Sequence, residues 1–131
     1  MSEEWRDIPG YSTYQASTHG RVRKVRRGRS GRLVTRSMKQ SVRSNGYRCV
    51  GLTSDEGKRK SITVHRIVAM TFLDNKDGAP CVLHGDGVKT NNHVSNLRWG
   101  TYADNVQDMK KHGTFVYNHD AAMRTYRSAS V

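Results

Sequence analysis

Acidic residues are scarce in this chain: 11 Asp and Glu stand against 23 Lys and Arg, a formal charge of +12 over 131 residues. A field of that sign and size favours a polyanionic partner, nucleic acid ahead of a membrane. Cysteine is scarcer still. Cys49 and Cys81 stand 32 residues apart with no CxxC partner, which excludes zinc-knuckle spacing and a disulfide framework. Both read as small buried apolar residues in a reducing compartment. Long hydrophobic runs are also missing. No stretch approaches the ~18 apolar residues of a membrane span, and no N-terminal apolar run precedes a cleavage site. A soluble, non-secreted, cytoplasmic protein without membrane contact is the expectation.

The charge that is present is unevenly placed. Between Arg21 and Lys60 lie 14 basic residues and two acidic ones, Asp55 and Glu56. Such a stretch cannot neutralise itself, and each phosphate it met would release condensed counterions, so binding should weaken steeply with salt. Apolar residues make up 34% of the chain, enough for one economical core.

Local patterns divide the chain. Residues 4–27 mix aromatic and apolar residues with turn formers and end in a basic strand around Arg21–Arg26, where Val22 alternates with Arg21, Arg23 and Lys24. Residues 28–45 are rich in Gly, Ser and Arg and read as loop or as a short strand near Arg32–Arg36. GYRCVGLT (46–53) and SITVHR (61–66) are β-rich runs around the polar turn SDEGKRK, a hairpin pattern. The fold class expected is α+β, with one antiparallel, strongly basic sheet over residues 20–66. HRIVAMTFL (65–73) carries Ile67, Val68, Phe72 and Leu73 at helical spacing and predicts a short buried helix. CVLH (81–84) and LRWG (97–100) predict strands flanking an Asn- and Gly-rich loop. TYADNVQDMKKHG predicts a helix, with Thr101 and Asp104 spaced as a capping box and Gly113 as its left-handed C-terminal cap. The tail 114–131 has little periodicity and is expected to be extended or disordered.

A strand ending in His84, a loop, a second strand and a helix with Asn105 in its first turn would bring His84 and Asn105 to a shared cleft. The stretch LHGDGVKTNNHVSNLRWGTYADN (83–105) resembles the HNH, or ββα-metal, nuclease motif. EWRDIPGYSTYQASTHGRVRKV (4–25) resembles the NUMOD-type module at the front of phage and intron-encoded HNH homing endonucleases. VHRIVAMTFL (64–73) resembles the segment preceding the motif in those proteins. The resemblance spans residues 4–113 in order, and implies a NUMOD-like DNA-binding sheet over 1–63 and an HNH unit over 64–113. It further implies a metal-dependent DNA endonuclease, a phage protein working in a bacterial host.

Residue by residue, the resemblance makes His84 the general base that takes a proton from the attacking water. An imidazole with an ordinary pKa near ~6.5 is largely neutral at working pH and suits this task. Asn96, the middle letter of the motif, ties the loop to the backbone in support of that chemistry. Asn105 is implied as a ligand of a divalent ion, Mg²⁺ first and Mn²⁺ second, with no small-molecule cofactor. Where many family members carry a metal-binding Asp before the His, this chain has Leu83. Two repairs fit: Asp108, three residues after Asn105 on one helical face, or Asn105 as the sole protein ligand with DNA supplying the rest. Asp86 reads as a turn former, His65 as a structural hydrogen-bonding residue, His93 as surface, His112 as a helix-end cation and Trp99 as core.

Phosphate contacts fix position and base contacts read sequence. The candidates for tracking double-stranded DNA are Arg21, Arg23, Lys24, Arg26, Arg27, Arg29 and Arg32, on a ribbon narrow enough for the major groove. Longer family members append helical DNA-reading repeats; their absence before Val131 predicts loose specificity. One catalytic unit nicks, and two copies would be needed to cut both strands together. Two alternatives share the motif: an HNH-fold DNA-binding protein impaired in catalysis, supported by Leu83, and an accessory nuclease acting with phage DNA-packaging proteins.

Overall fold

The computed structural model describes residues 3–75 and 78–111. Gly113, His112 and the tail 114–131 lie outside the described residues. The architecture is α+β: three antiparallel sheets gathered around one short helix. The first sheet has the order β1 (Trp5–Ile8), β2 (Tyr11–Ser17), β3 (Val22–Arg27), β4 (Leu33–Ser37). The second comprises β5 (Ser41–Val42), β6 (Arg48–Thr53) and β7 (Arg59–Thr63). Helix α1 (Val64–Phe72) follows β7 without a linker. The third sheet pairs β8 (Cys81–His84) with β9 (Leu97–Gly100), a 3₁₀ turn at Val94–Asn96 leads into β9, and helix α2 (Tyr102–Lys111) closes the described chain.

The single sheet expected over residues 20–66 is therefore two. The chain leaves the first sheet after β4 through Met38–Gln40, where the Gln40 side chain donates to the Gly20 carbonyl at 2.9 Å and turns it toward β5. Strands β1 and β2 lie in the stretch whose aromatic, apolar and turn-forming residues show no regular alternation, and the turn between them puts Gly10 at φ 79°, open to glycine at little cost.

Helix α1 occupies the centre because it is apolar on more than one side. Val64, Ile67, Val68 and Ala69 are fully buried, and the helix packs against strands of all three sheets. Ile8, Tyr14, Ala16 and Val22 from the first sheet, Val50, Leu52 and Ile62 from the second, and Val82 and Leu97 from the third complete one continuous core. Each fully buried Val, Leu or Ile contributes about 1.5–3 kcal/mol relative to exposure. The expected division between residues 63 and 64 thus falls inside a core that both parts share. The Trp99 indole N–H donates to the Leu73 carbonyl at 3.2 Å, fastening β9 to the end of α1.

The capping box forms as expected. Thr101 N–H donates to the Asp104 carboxylate at 2.9 Å, and Asp104 N–H donates to the Thr101 hydroxyl oxygen at 3.1 Å.

Candidate active site and nucleic-acid interface

Register decides what each end of the β8–β9 ribbon presents. Leu83 pairs with Arg98 and His84 with Leu97, and successive side chains leave a strand on opposite faces. Leu83 faces α2: its Cδ1 lies 2.6 Å from where a Cβ on Gly100 would sit, beside Asp104. His84 faces the other way, toward α1, where its ring centroid lies 5.0 Å from that of His65 and 6.0 Å from that of Tyr47. Leu83 and His84 therefore leave β8 on opposite faces, the leucine against the first turn of α2 and the imidazole toward α1.

His84 is buried, 8% exposed, and its Nε2–H donates to the Asn92 side-chain oxygen at 2.8 Å. That bond places the proton on Nε2 and leaves Nδ1 as the lone-pair nitrogen. Among the described residues nothing hydrogen-bonds Nδ1. Burial pushes the His84 pKa below its ordinary value, against smaller upward contributions from the Asn92 bond and the Asp86 charge. An unprotonated imidazole with one free lone pair is the chemical state of a base.

His65 departs from expectation. It opens α1 at 1% exposure, stacked on Tyr47 with centroids 4.9 Å apart, and neither ring nitrogen has a hydrogen-bond partner. Burial, with help from His84, drives its pKa down to about 3, so the ring is neutral. It acts as an aromatic wall behind His84.

The loop between β8 and β9 is built around Asn96 and Asp86. Asn96 donates from Nδ2 to the Asp86 carboxylate and to the Asn91 carbonyl, both at 2.9 Å. Its Oδ1 accepts from Asp86 N–H at 3.0 Å, and its carbonyl accepts from Gly85 N–H at 2.7 Å. Asp86 further accepts from Asn91 and from Val88 N–H, and these donors, Asn91 foremost, lower its pKa to about 2. The loop is anchored to the first sheet where Val94 N–H donates to the Thr18 carbonyl at 2.8 Å. At that contact Gly20, with φ 82°, leaves no room for a Cβ, which would meet Asn92 at 2.8 Å.

On α2, Asn105, Val106, Asp108 and Met109 are the half-buried positions, the spacing of one helical stripe. Asp108 Oδ1 accepts from Arg98 at 2.9 Å, while its Oδ2 is buried without a hydrogen-bond partner. No group of three His, Cys, Asp or Glu able to hold a metal occurs among the described residues. The donors α2 offers are thus an amide oxygen and one orphaned carboxylate oxygen, a hard-oxygen set that fits Mg²⁺ better than Zn²⁺. Leu83, buried against the first turn of α2, contributes no donor.

The basic candidates are not gathered on one surface. Pairing of Gln15 with Arg23 and Tyr14 with Lys24 sends Arg23 and Arg27 to one face of the sheet and Lys24 and Arg26 to the other. Arg21 is held by Glu3, which its guanidinium keeps at a pKa of about 2. Arg23 donates twice to Gln15 Oε1 and lies 4.1 Å over the Trp5 ring. Lys24, Arg26, Arg27, Arg29 and Arg32 are exposed on the β3–β4 ribbon and its turn, where all of β4 is also exposed. Arg48 and Lys39, absent from the expected set, line a cleft beside Asn92. No local sequence signal marks them, because the cleft is assembled from four separated segments.

The NUMOD4 motif matches residues 3–53. The chain is 38% identical over 112 residues to DNA endonuclease I-HmuI of Bacillus phage SP01, covering 85% of this chain and 60% of that protein. It is 37% identical over 106 residues to an uncharacterized HNH endonuclease of Acanthamoeba polyphaga mimivirus, covering 81% of this chain and 29% of that one. The solved structure described as "DNA binding and cleavage by the HNH homing endonuclease I-HmuI" superimposes with a TM-score of 0.70 at 35% identity, covering 93% of this chain and 66% of that chain. The chain therefore spans less than two thirds of the relatives it matches. With a NUMOD4 motif ahead of a β8–β9–α2 unit, it is similar along most of its length to HNH homing endonucleases.

Proposed function

We propose that this chain is a metal-dependent DNA endonuclease that hydrolyses a phosphodiester of double-stranded DNA with His84 as general base. One observation carries the reading: His84 is kept neutral by burial, with Nε2–H committed to Asn92 and Nδ1 left free. Nδ1 takes a proton from water as the water oxygen bonds to phosphorus. The bond from phosphorus to the 3′ oxygen breaks with its electron pair, and solvent supplies that oxygen with a proton. The Asn92 oxygen stabilises the imidazolium formed, which returns its proton to solvent. Asn96 holds the loop that carries Asn92 and acts on the chemistry through that loop.

HNH enzymes use a divalent metal ion. Asn105, with Asp108 as a second ligand, would hold Mg²⁺ or Mn²⁺, which supplies charge stabilisation to the phosphate and the leaving oxygen. The exposed cations of the β3–β4 ribbon, Lys24, Arg26, Arg27, Arg29 and Arg32, would track the DNA backbone, with Arg21 and Arg23 held back by their protein partners. Among the described residues no helix is long and apolar enough to cross a membrane. Two buried free cysteines and a phage-encoded relative support action inside a bacterial host cell.

Supercoiled plasmid incubated with Mg²⁺ or Mn²⁺ should be nicked by the wild type and left intact by His84→Ala. Nicking that survives His84→Ala overturns the assignment of the base. Leu83 favours a second reading, a DNA-binding protein impaired in catalysis, and tight binding without nicking by the wild type would support it.

A further inference from the structure

A cleft of about 510 Å³ opens where four segments meet: the β2–β3 turn, the linker after β4, the start of β6 and the Asn-rich loop. Its lining includes Arg21, Lys39, Gln40, Arg48, Thr90 and Asn92. Arg21 is neutralised by Glu3 and Gln40 is spent on the Gly20 carbonyl. Lys39 and Arg48 have no carboxylate partner among the described residues. The cleft therefore carries two uncompensated positive charges.

Asn92 forms the back of the same cleft. Its carboxamide is divided: Oδ1 accepts from His84, while Nδ2 makes no hydrogen bond among the described residues. An acceptor in the cleft would complete the amide and fix its orientation, with oxygen toward the imidazole and N–H outward. A singly charged oxyanion flanked by cations and an amide donor is the chemistry of a phosphodiester.

We propose that this cleft seats one backbone phosphate of duplex DNA, held by Lys39, Arg48 and Asn92 Nδ2, beside the nitrogen-bound face of His84. The inference rests on the nuclease reading and extends it: the bound phosphate sets the amide that sets the imidazole tautomer, so DNA occupancy and readiness of the base are linked.

The test is binding of a short DNA duplex by the full chain in metal-free buffer over a salt series, read by fluorescence anisotropy. Lys39→Gln/Arg48→Gln should bind more weakly and lose about 0.9 from the slope of log K against log salt, the loss of one phosphate contact. Asn92→Asp keeps an acceptor for His84 but meets the phosphate with a carboxylate. It should bind more weakly than Val88→Asp, which adds the same charge on the same loop outside the cleft. An unchanged slope in the first variant, or Asn92→Asp no weaker than Val88→Asp, overturns the proposal. Cleavage plays no part in this readout. A wild type that binds with a steep salt slope but does not nick removes the nuclease reading and leaves the phosphate seat standing.

Discussion

Replacing Asn92 with alanine isolates the contact on which the base depends. The wild-type bond is 2.8 Å long, buried, and made to a group that becomes charged in the reaction. Hydrogen bonds to charged groups are worth about 1.5–3 kcal/mol, and each ~1.4 kcal/mol is tenfold in rate. Asn92→Ala should therefore lower kcat on plasmid at saturating DNA roughly ten- to a hundredfold. The pH profile carries a second signature. The base must be unprotonated, so activity rises with pH through the His84 pKa, which burial holds below its ordinary value. The Asn92 bond acts upward on that pKa, so its removal moves the acid limb to lower pH while the plateau falls. Asn92→Asp, which still accepts from Nε2, should restore much of kcat and move the acid limb upward. Wild-type kcat in Asn92→Ala refutes the argument. A lower plateau with an unmoved acid limb would assign Asn92 to loop architecture alone.

His65 predicts acid sensitivity of the fold. Its pKa falls from an ordinary 6.5 to about 3 on folding, so the unfolded chain takes up a proton that the native state refuses. The penalty is absent above about pH 6.5, reaches about 2 kcal/mol near pH 5, and grows until about pH 3. His65→Phe should remove it, seen as a smaller fall in Tm between neutral and acid pH, and an identical fall would sink the account. Asp108→Asn should raise the Mg²⁺ concentration for half-maximal nicking by about tenfold or more; an unchanged metal requirement would remove Asp108 from the site. Arg26→Gln should reduce the salt slope of DNA binding by about 0.9, whereas Arg23→Gln, already committed to Gln15 and Trp5, should change it little. Equal effects would mean that the Arg23 contacts open on DNA.

What the sequence disclosed was what local rules govern. The hairpin of β6 and β7 alternates in register, and the α2 cap needs only Thr101 and Asp104. Strand β1 is four residues long and ends at Pro9–Gly10, too short for alternation to stand out, and β2 buries Tyr14, Ala16 and Ser17 among polar neighbours. Strand β4 is exposed along its whole length, so no burial imposes a pattern on it. The split of the basic strand follows from β pairing: Arg23 and Lys24 are adjacent in sequence and on opposite faces in space. Asn92 stood within the motif, but its role depends on the approach of Gly20 and the anchoring of Val94 to Thr18, contacts that cross more than 70 residues. Nor could His65 be separated from an ordinary polar helix start before its burial beside His84 was seen.

The same alternation bears on Leu83. On the α2 face of β8 a side chain meets the first turn of α2 and stands across from Arg98, which Asp108 already engages. A carboxylate there would stand across from Arg98, which Asp108 engages; a leucine instead packs beside Gly100 and Asp104 at the start of the helix. The position thus exchanges an ionic ligand for an apolar anchor of α2. The base, on the other face, is unaffected by that exchange, since every group that orients His84 (Asn92, His65 and Tyr47) reaches it from the α1 side or the loop. On the proposed reading, the proton-accepting half of the site is supplied by this chain's own residues, and the exchange at Leu83 falls on the metal-holding half, which substrate oxygens and water would supplement.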